Sequence, residues 1–179
     1  DSLKHKIKND LSRMGMPSID FHVDLGEFAI NKIGLKHCSF YIRTNKGEEL
    51  KSLGEIVSGG ELSRIMMSIK LSINSFSNGK MFVLDEIDAG LSGKEADSIG
   101  RVIDNLSIDN QVICITHLSQ IASKANNHYK VFKEVIDKRT ECGVVLLDEK
   151  AKVNELAAMI SGQKITSESI SYAKGMLKN

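Results

Sequence analysis

Two short, uninterrupted apolar runs constrain this chain more than any other feature. Met81-Phe82-Val83-Leu84 and Val112-Ile113-Cys114-Ile115 are brief and lack the alternation of a strand with one wet face. Such runs suit strands of a parallel sheet buried on both faces. The connection between them, helical in pattern from about Lys94 to Leu106, is long enough for a βαβ crossover. Asp85-Glu86 and Thr116-His117 then leave the sheet at one edge, beyond the carboxyl ends of the strands, where open α/β sheets bind ligands.

Ahead of the first run lies Val57-Ser58-Gly59-Gly60-Glu61-Leu62-Ser63-Arg64. After Glu61 the apolar residues Leu62, Ile65, Met66, Ile69, Ile73 and Phe76 follow the stripe of a helix with one buried face. Ser58 and the two glycines therefore sit at a helix N-terminus. A serine caps there, glycines allow close backbone approach, and the free amides and helix dipole favour an anion such as phosphate. Taken alone, the stretch reads first as a loop and a cap.

The rest of the chain reads as ordinary structure. Leu3, Ile7, Leu11 and Met14 mark a short amphipathic helix stopped by Gly15 and Pro17. Two heptads are few for a coiled coil, so a surface helix is the simpler reading of the residues themselves. Ile19 to Leu25 alternates as a half-buried strand, and a second strand is expected from Cys38 to Arg43, with turns at Gly34 and Asn45-Lys46-Gly47. His22 and His37 have no ligand-like spacing and read as structural. Asn78-Gly79 breaks the signature helix, and Leu118 to Lys124 begins another. Tyr129 to Val135 and Gly143 to Leu147 suggest a hairpin across Asp137-Lys138-Arg139, whose mixed charges read as a solvated face. Amphipathic segments at Val153 to Ile160 and Ser167 to Leu177, parted by Ser161-Gly162-Gln163, close the chain.

Composition narrows the classes but names no partner. A net charge of +1 argues neither for nor against nucleic acid. Cys38, Cys114 and Cys142 form no Cys-x-x-Cys pair, which disfavours a disulfide framework or zinc site and fits a reducing cytoplasm. No apolar run reaches the roughly 18 residues that span a bilayer. The chain opens on Asp1 rather than Met, which suggests a piece of a longer protein.

The three features in this order are far more specific together than singly. They resemble the C-terminal half of an ATP-binding cassette ATPase. Val57 to Glu61 is similar to the signature motif, Met81 to Glu86 to the Walker B strand, Ala89 to Gly93 to the D-loop and His117 to the switch histidine. The wording Ser-Gly-Gly-Glu-Leu-Ser-Arg, Asp-Glu-Ile-Asp-Ala-Gly-Leu-Ser-Gly and Ile-Thr-His-Leu-Ser-Gln-Ile-Ala resembles more specifically the RecN-like branch of the SMC-like class, bacterial DNA repair proteins. Two positions depart from the pattern: Val57 replaces the usual leucine, and Gly-Leu-Ser-Gly stands where Ala-Leu-Asp is commoner, which leaves the role of Ser92 open. A phosphate-cradling Gly-x-x-x-x-Gly-Lys-Ser/Thr loop is absent; Gly90 to Glu95 is too short in spacing and ends in Glu95.

The resemblance implies a P-loop NTPase-like α/β fold: the C-terminal lobe of an ATPase head, with a parallel-sheet core and flanking helices. It implies a returning coiled-coil arm at residues 1–15 and the lobe at 16–179. The Walker A loop would then lie in an N-terminal lobe of the same protein, and this lobe alone would be inactive. The implied cofactors are ATP and Mg²⁺. Asp85 would hold the metal, through water, and Glu86 would orient or deprotonate the attacking water. His117 would touch the γ-phosphate or that water. Ser58, Gly59, Gly60, Glu61 and Asp88 would form nucleotide contacts, the signature residues reaching ATP held by a second head. The implied setting is cytoplasmic double-strand-break repair by recombination, with DNA a partner of the complete protein and no membrane involved. Two alternatives stand beside it. Another head of the same superfamily is one, although a transporter usually has Pro-Thr where Ile87-Asp88 stand. A non-catalytic dimerisation lobe is the other, and Glu86 and His117 argue against it.

Overall fold

The computed structural model describes residues 2–31, 34–44, 47–55, 58–73, 79–136, 139–162 and 164–177. Two compact units divide the chain, Asp1–Thr116 and His117–Asn179. No helix among the described residues is long and apolar enough to cross a membrane.

The first unit begins with helix α1 (Ser2–Arg13). Gly15, at φ +82, turns the chain out of it, and the Met16 N–H donates to Leu11 O at 3.0 Å. This is the glycine-closed end that the sequence predicts. Strands β1 (Asp20–Asn31) and β2 (Gly34–Arg43) pair antiparallel, with Phe21 opposite Ile42 and Val23 opposite Phe40. Strand β3 (Lys51–Ser52) adds to β2, and a 3-10 turn over Leu53–Glu55 follows. Neither short element carries a sequence pattern. The expected Asn45-Lys46 turn lies outside the described residues.

Helix α2 (Gly59–Ile73) packs on α1 and the long hairpin. Ile7, Leu11, Met16, Ile19, Phe21, Ile42, Ile65 and Ile69 form the core of the unit. The stripe is rotated slightly from the one expected: Ile65, Met67, Ser68 and Ile69 are buried, whereas Met66 is 37% exposed. Ser68 Oγ, inside that face, donates to Ile7 O at 3.2 Å and bonds α2 to α1. Phe76 and Asn78 lie outside the described residues.

Strands β4 (Met81–Leu84) and β5 (Gln111–Cys114) run parallel, Met81 against Gln111 through Leu84 against Cys114. Helix α3 (Gly93–Ser107) joins them, burying Ala96, Ile99, Gly100 and Ile103. The predicted crossover is therefore present. The expectation of burial on both faces is not met within this chain. Met81 and Val83 are each 62% exposed, with Ile113 and Ile115 exposed on the same face. The alternation of exposure shows that only one face of this two-stranded sheet is covered.

In the second unit the expected helix after Thr116-His117 is only α4 (Ser119–Ala122). Strands β6 (Tyr129–Ile136) and β7 (Arg139–Leu146) pair antiparallel, Tyr129 with Leu146 and Val131 with Val144. Helices α5 (Glu149–Ser161) and α6 (Ser167–Leu177) follow. Asp148 caps α5, accepting from the Ala151 N–H at 2.7 Å. Leu156, Ala157, Ala122 and Ala173 make this unit's core.

Candidate functional site

The start of α2 is built as an open helix end. Its first i to i−4 bond runs from the Leu62 N–H to Ser58 O at 3.0 Å, so the amides of Gly59, Gly60 and Glu61 precede the helical ladder. Ser58 Oγ accepts from the Glu61 N–H at a long 3.5 Å, a weak cap. Ser58 and Gly59 are exposed, whereas Gly60 is buried. Val57 lies outside the described residues.

What buries Gly60 is the turn after β4. A Cβ on Gly60 would stand 2.7 Å from Ala89 O and 2.8 Å from Ala89 Cβ, closer than backbone and side chain can approach. Only glycine lets these two segments touch. A Cβ on Gly59 would stand 3.1 Å from Glu86 Oε2, so the Glu86 carboxylate reaches the same helix end.

Asp85 and Glu86 are both exposed where β4 ends. Glu86 has φ +56, and it is the one non-glycine residue with positive φ among the described residues. A left-handed non-glycine backbone costs about 1–3 kcal/mol and persists only where its surroundings over-determine it. The surroundings here are specific. The Ala89 N–H donates to Glu86 O at 3.2 Å, and the Leu91 N–H donates to Asp88 O at 3.2 Å. Arg64, 6% exposed, donates from Nη1 to Ala89 O at 3.0 Å and to Ile87 O at 3.3 Å. Burial pushes its guanidinium below the usual range, while Glu61 and Glu95 act in the opposite direction.

Asp88 turns inward. It is 4% exposed and accepts from Thr116 Oγ1 at 2.5 Å, which ties the turn to the end of β5. Desolvation, with Asp88 and Asp85 adding to it, pushes the Cys114 thiol up to about 11, so Cys114 is protonated at neutral pH. His117 is exposed and opens the second unit.

The first unit thus brings together Ser58, Gly59, Gly60, Asp85 and Glu86, with Glu61 in the same helical turn as the glycines. Periodicity and motif wording single out neither the grip of Arg64 on the turn nor the Thr116–Asp88 bond. Arg64 adjoins Ile65 on the apolar side of α2, and that position was the signal for a buried cation. Among the described residues no group of three His, Cys, Asp or Glu side chains could cage a metal ion. Asp85 still fits Mg²⁺, which takes one or two carboxylates and completes its shell with phosphate and water.

The profile described as RecF/RecN/SMC N terminal domain matches residues 4–141. Over 145 residues the chain is 43% identical to the DNA repair protein RecN of Bacillus subtilis (strain 168), covering 81% of this chain and 25% of that protein. The chain therefore spans about a quarter of that relative's length. The Smc head domain with a coiled coil and joint from Pyrococcus yayanosii superposes with a TM-score of 0.60 at 19% identity, over 87% of this chain and 28% of that one. A structure described under ATP-driven dimerization and DNA-stimulated activation of SMC ATPases matches with a TM-score of 0.55 at 17% identity, over 91% of this chain and 94% of that one. At these identities the structural likeness shows the fold, that of an SMC-type head.

Proposed function

The chain belongs to the RecF/RecN/SMC family, and from that premise we propose that it is the C-terminal lobe of an ATPase head that hydrolyses ATP at an interface between two heads. Joined to a Walker A lobe of the same protein, it would serve double-strand-break repair by recombination. The observation that carries this reading is the interlock of Gly60 with Ala89, which holds the amide-rich start of α2 beside the Asp85-Glu86 strand end. One lobe thus carries a phosphate-binding helix end for the ATP of the other head and a carboxylate pair for the ATP of its own, which suits phosphoryl transfer, where positioning and charge stabilisation supply most of the catalysis.

In this reading Ser58, Gly59 and Gly60 receive the γ-phosphate of ATP carried by the other head, through helix amides and the serine hydroxyl. Glu61 closes that turn. Glu86 orients the attacking water or takes its proton. By family membership alone, His117 would contact the γ-phosphate or the attacking water. Asp85 would hold Mg²⁺, which when bound would supply neutralisation of the phosphate charge that Asp85 and Glu86 would otherwise repel. We assign Asp88 to holding the turn through Thr116 rather than to nucleotide contact, because its carboxylate is buried in that bond.

The uncovered sheet face supports the partner lobe in this proposal. Met81, Val83, Ile113 and Ile115 make a contiguous apolar surface of a kind that protein–protein contacts cover. DNA is a partner of the complete protein here by family membership.

The deciding experiment is Glu86→Gln in the full-length protein. ATP binding should persist, turnover should fall by at least about a hundredfold, as for loss of a general base, and ATP-bound dimers should accumulate in size-exclusion chromatography. Turnover at the wild-type rate would remove Glu86 from this role.

A further inference from the structure

Arg64 is buried one turn into α2, and it grips the segment that Glu86 begins. We infer that Arg64 is a positioning residue for Glu86, holding its turn through the carbonyls of Ile87 and Ala89. This inference rests on the reading of Glu86 as the residue that acts on the attacking water.

Three observations carry it. The first is the cost of the arrangement. A buried cation ordinarily meets a carboxylate. Among the described residues the bonds Arg64 makes run instead from Nη1 to two neutral carbonyls, at 3.0 and 3.3 Å, while Nε is buried with no hydrogen-bond partner. A side chain used only to fill space would not need to be an arginine.

The second is where those carbonyls lie. They belong to the first and third residues after Glu86, whose φ is +56. Between them, the Asp88 carboxylate is held by Thr116 Oγ1 at 2.5 Å. Residues 87, 88 and 89 are thus each held from outside the turn, which opposes relaxation of Glu86 to negative φ. The strained conformation is over-determined by named partners, and Arg64 supplies two of the three contacts.

The third is connectivity. Arg64 stands on the same helix as Ser58 to Gly60, so one rigid element carries both the phosphate-facing amides and the grip on the Glu86 turn. The planar guanidinium presents donors at fixed spacing, and lysine, a single point charge, does not reproduce that geometry.

The test uses the full-length protein. Arg64→Met and Arg64→Lys are each made alone and together with Glu86→Gln, and single-turnover ATP hydrolysis is followed. Arg64→Met should lower the hydrolysis rate about tenfold, a coupling typical of residues sharing a bonded network, with the KM for ATP unchanged. Arg64→Lys should fall between it and wild type. In the Glu86→Gln background the same substitutions should change the residual rate less than about twofold, because the group being positioned is gone. A second readout is independent of activity: hydrogen exchange at the Ala89 amide, bonded to Glu86 O, should accelerate in Arg64→Met relative to the Leu62 amide.

Equal losses with and without Glu86 would show that Arg64 serves the fold in general and would overturn the inference. So would an unchanged hydrolysis rate, or unchanged exchange at Ala89. If Arg64→Met does not fold, the Arg64→Lys pair decides by the same criteria. Wild-type turnover in Glu86→Gln alone would mark the separate failure of the role given to Glu86, visible before Arg64 is altered, and would take the inference with it.

Discussion

Substituting Gly60 by alanine should separate a glycine needed for space from one that merely starts a helix. The added methyl would lie 2.7 Å from Ala89 O, 2.8 Å from Ala89 Cβ and 3.3 Å from Ala89 C. All three atoms are backbone or fixed to it, so no rotamer relieves the contact and the two segments must part. Overpacking of this kind costs about 1–3 kcal/mol. Against the middle of that range, about 2 kcal/mol, alanine's better helix propensity returns up to about 1 kcal/mol, leaving a net loss of about 1–2 kcal/mol. At about 2–4 °C per kcal/mol for a domain of 150–250 residues, the calorimetric transition of this lobe in the full-length protein should fall by roughly 2–8 °C. Gly59→Ala is the internal control. Its methyl would meet the end of the Glu86 side chain at 3.1 Å, a group that can swing aside. That variant should keep its transition temperature and lose turnover, because the carboxylate that moves is the one proposed to act on water. A Gly60→Ala protein as stable as wild type, or a Gly59→Ala protein equally destabilised, would refute the reasoning.

Two further outcomes follow from the same geometry. Ser58→Arg should abolish ATP-dependent dimerisation in analytical ultracentrifugation while a single head still binds ATP; dimers at wild-type levels would contradict the contact across heads. Hydrogen bonds from His22 and Arg43 hold the Asp20 carboxyl well down, at about 2 against an ordinary 3.8. Because the folded value is the lower one, its contribution is complete above the ordinary value and is lost as pH falls towards 2. The side chain is 28% exposed, so the contribution should be below about 1 kcal/mol after solvent screening. Circular dichroism should show Asp20→Asn differing from wild type at pH 5 and converging with it near pH 2; a constant gap across that range would rule the linkage out.

How far the residues announced this structure depends on what each pattern records. The two apolar runs and their helical connection identified β4, α3 and β5 because a parallel crossover leaves few alternatives. The same runs could not say what covers them. Met81 and Val83 are as apolar as Phe82 and Leu84, yet only one pair is shielded within this chain, and the identity of a cover is not encoded in the residues it covers. Gly60 was legible as a glycine at a helix N-terminus. That it is required by Ala89, from a distant part of the sequence, is a tertiary fact. Arg64 was hidden by its own chemistry, since a charged residue on an amphipathic helix is assigned to solvent by default. The nucleotide contact expected of Asp88 came from the family resemblance; its bond to Thr116 joins residues 28 positions apart, which no local pattern records. Strand β3 and the short α4 fall below the length at which periodicity can be read.

The uncovered β4–β5 pair also bears on how such a protein is made. Two strands expose two unpaired edges, and here one face is apolar as well, the combination that natural sheets avoid because it recruits other chains. If the proposed N-terminal lobe is what shields this face, the C-terminal lobe is an aggregation hazard until the two dock. Its solubility is then a property of how quickly docking follows synthesis, and recombinant yield should depend more on co-expression with the covering segment than on any surface substitution.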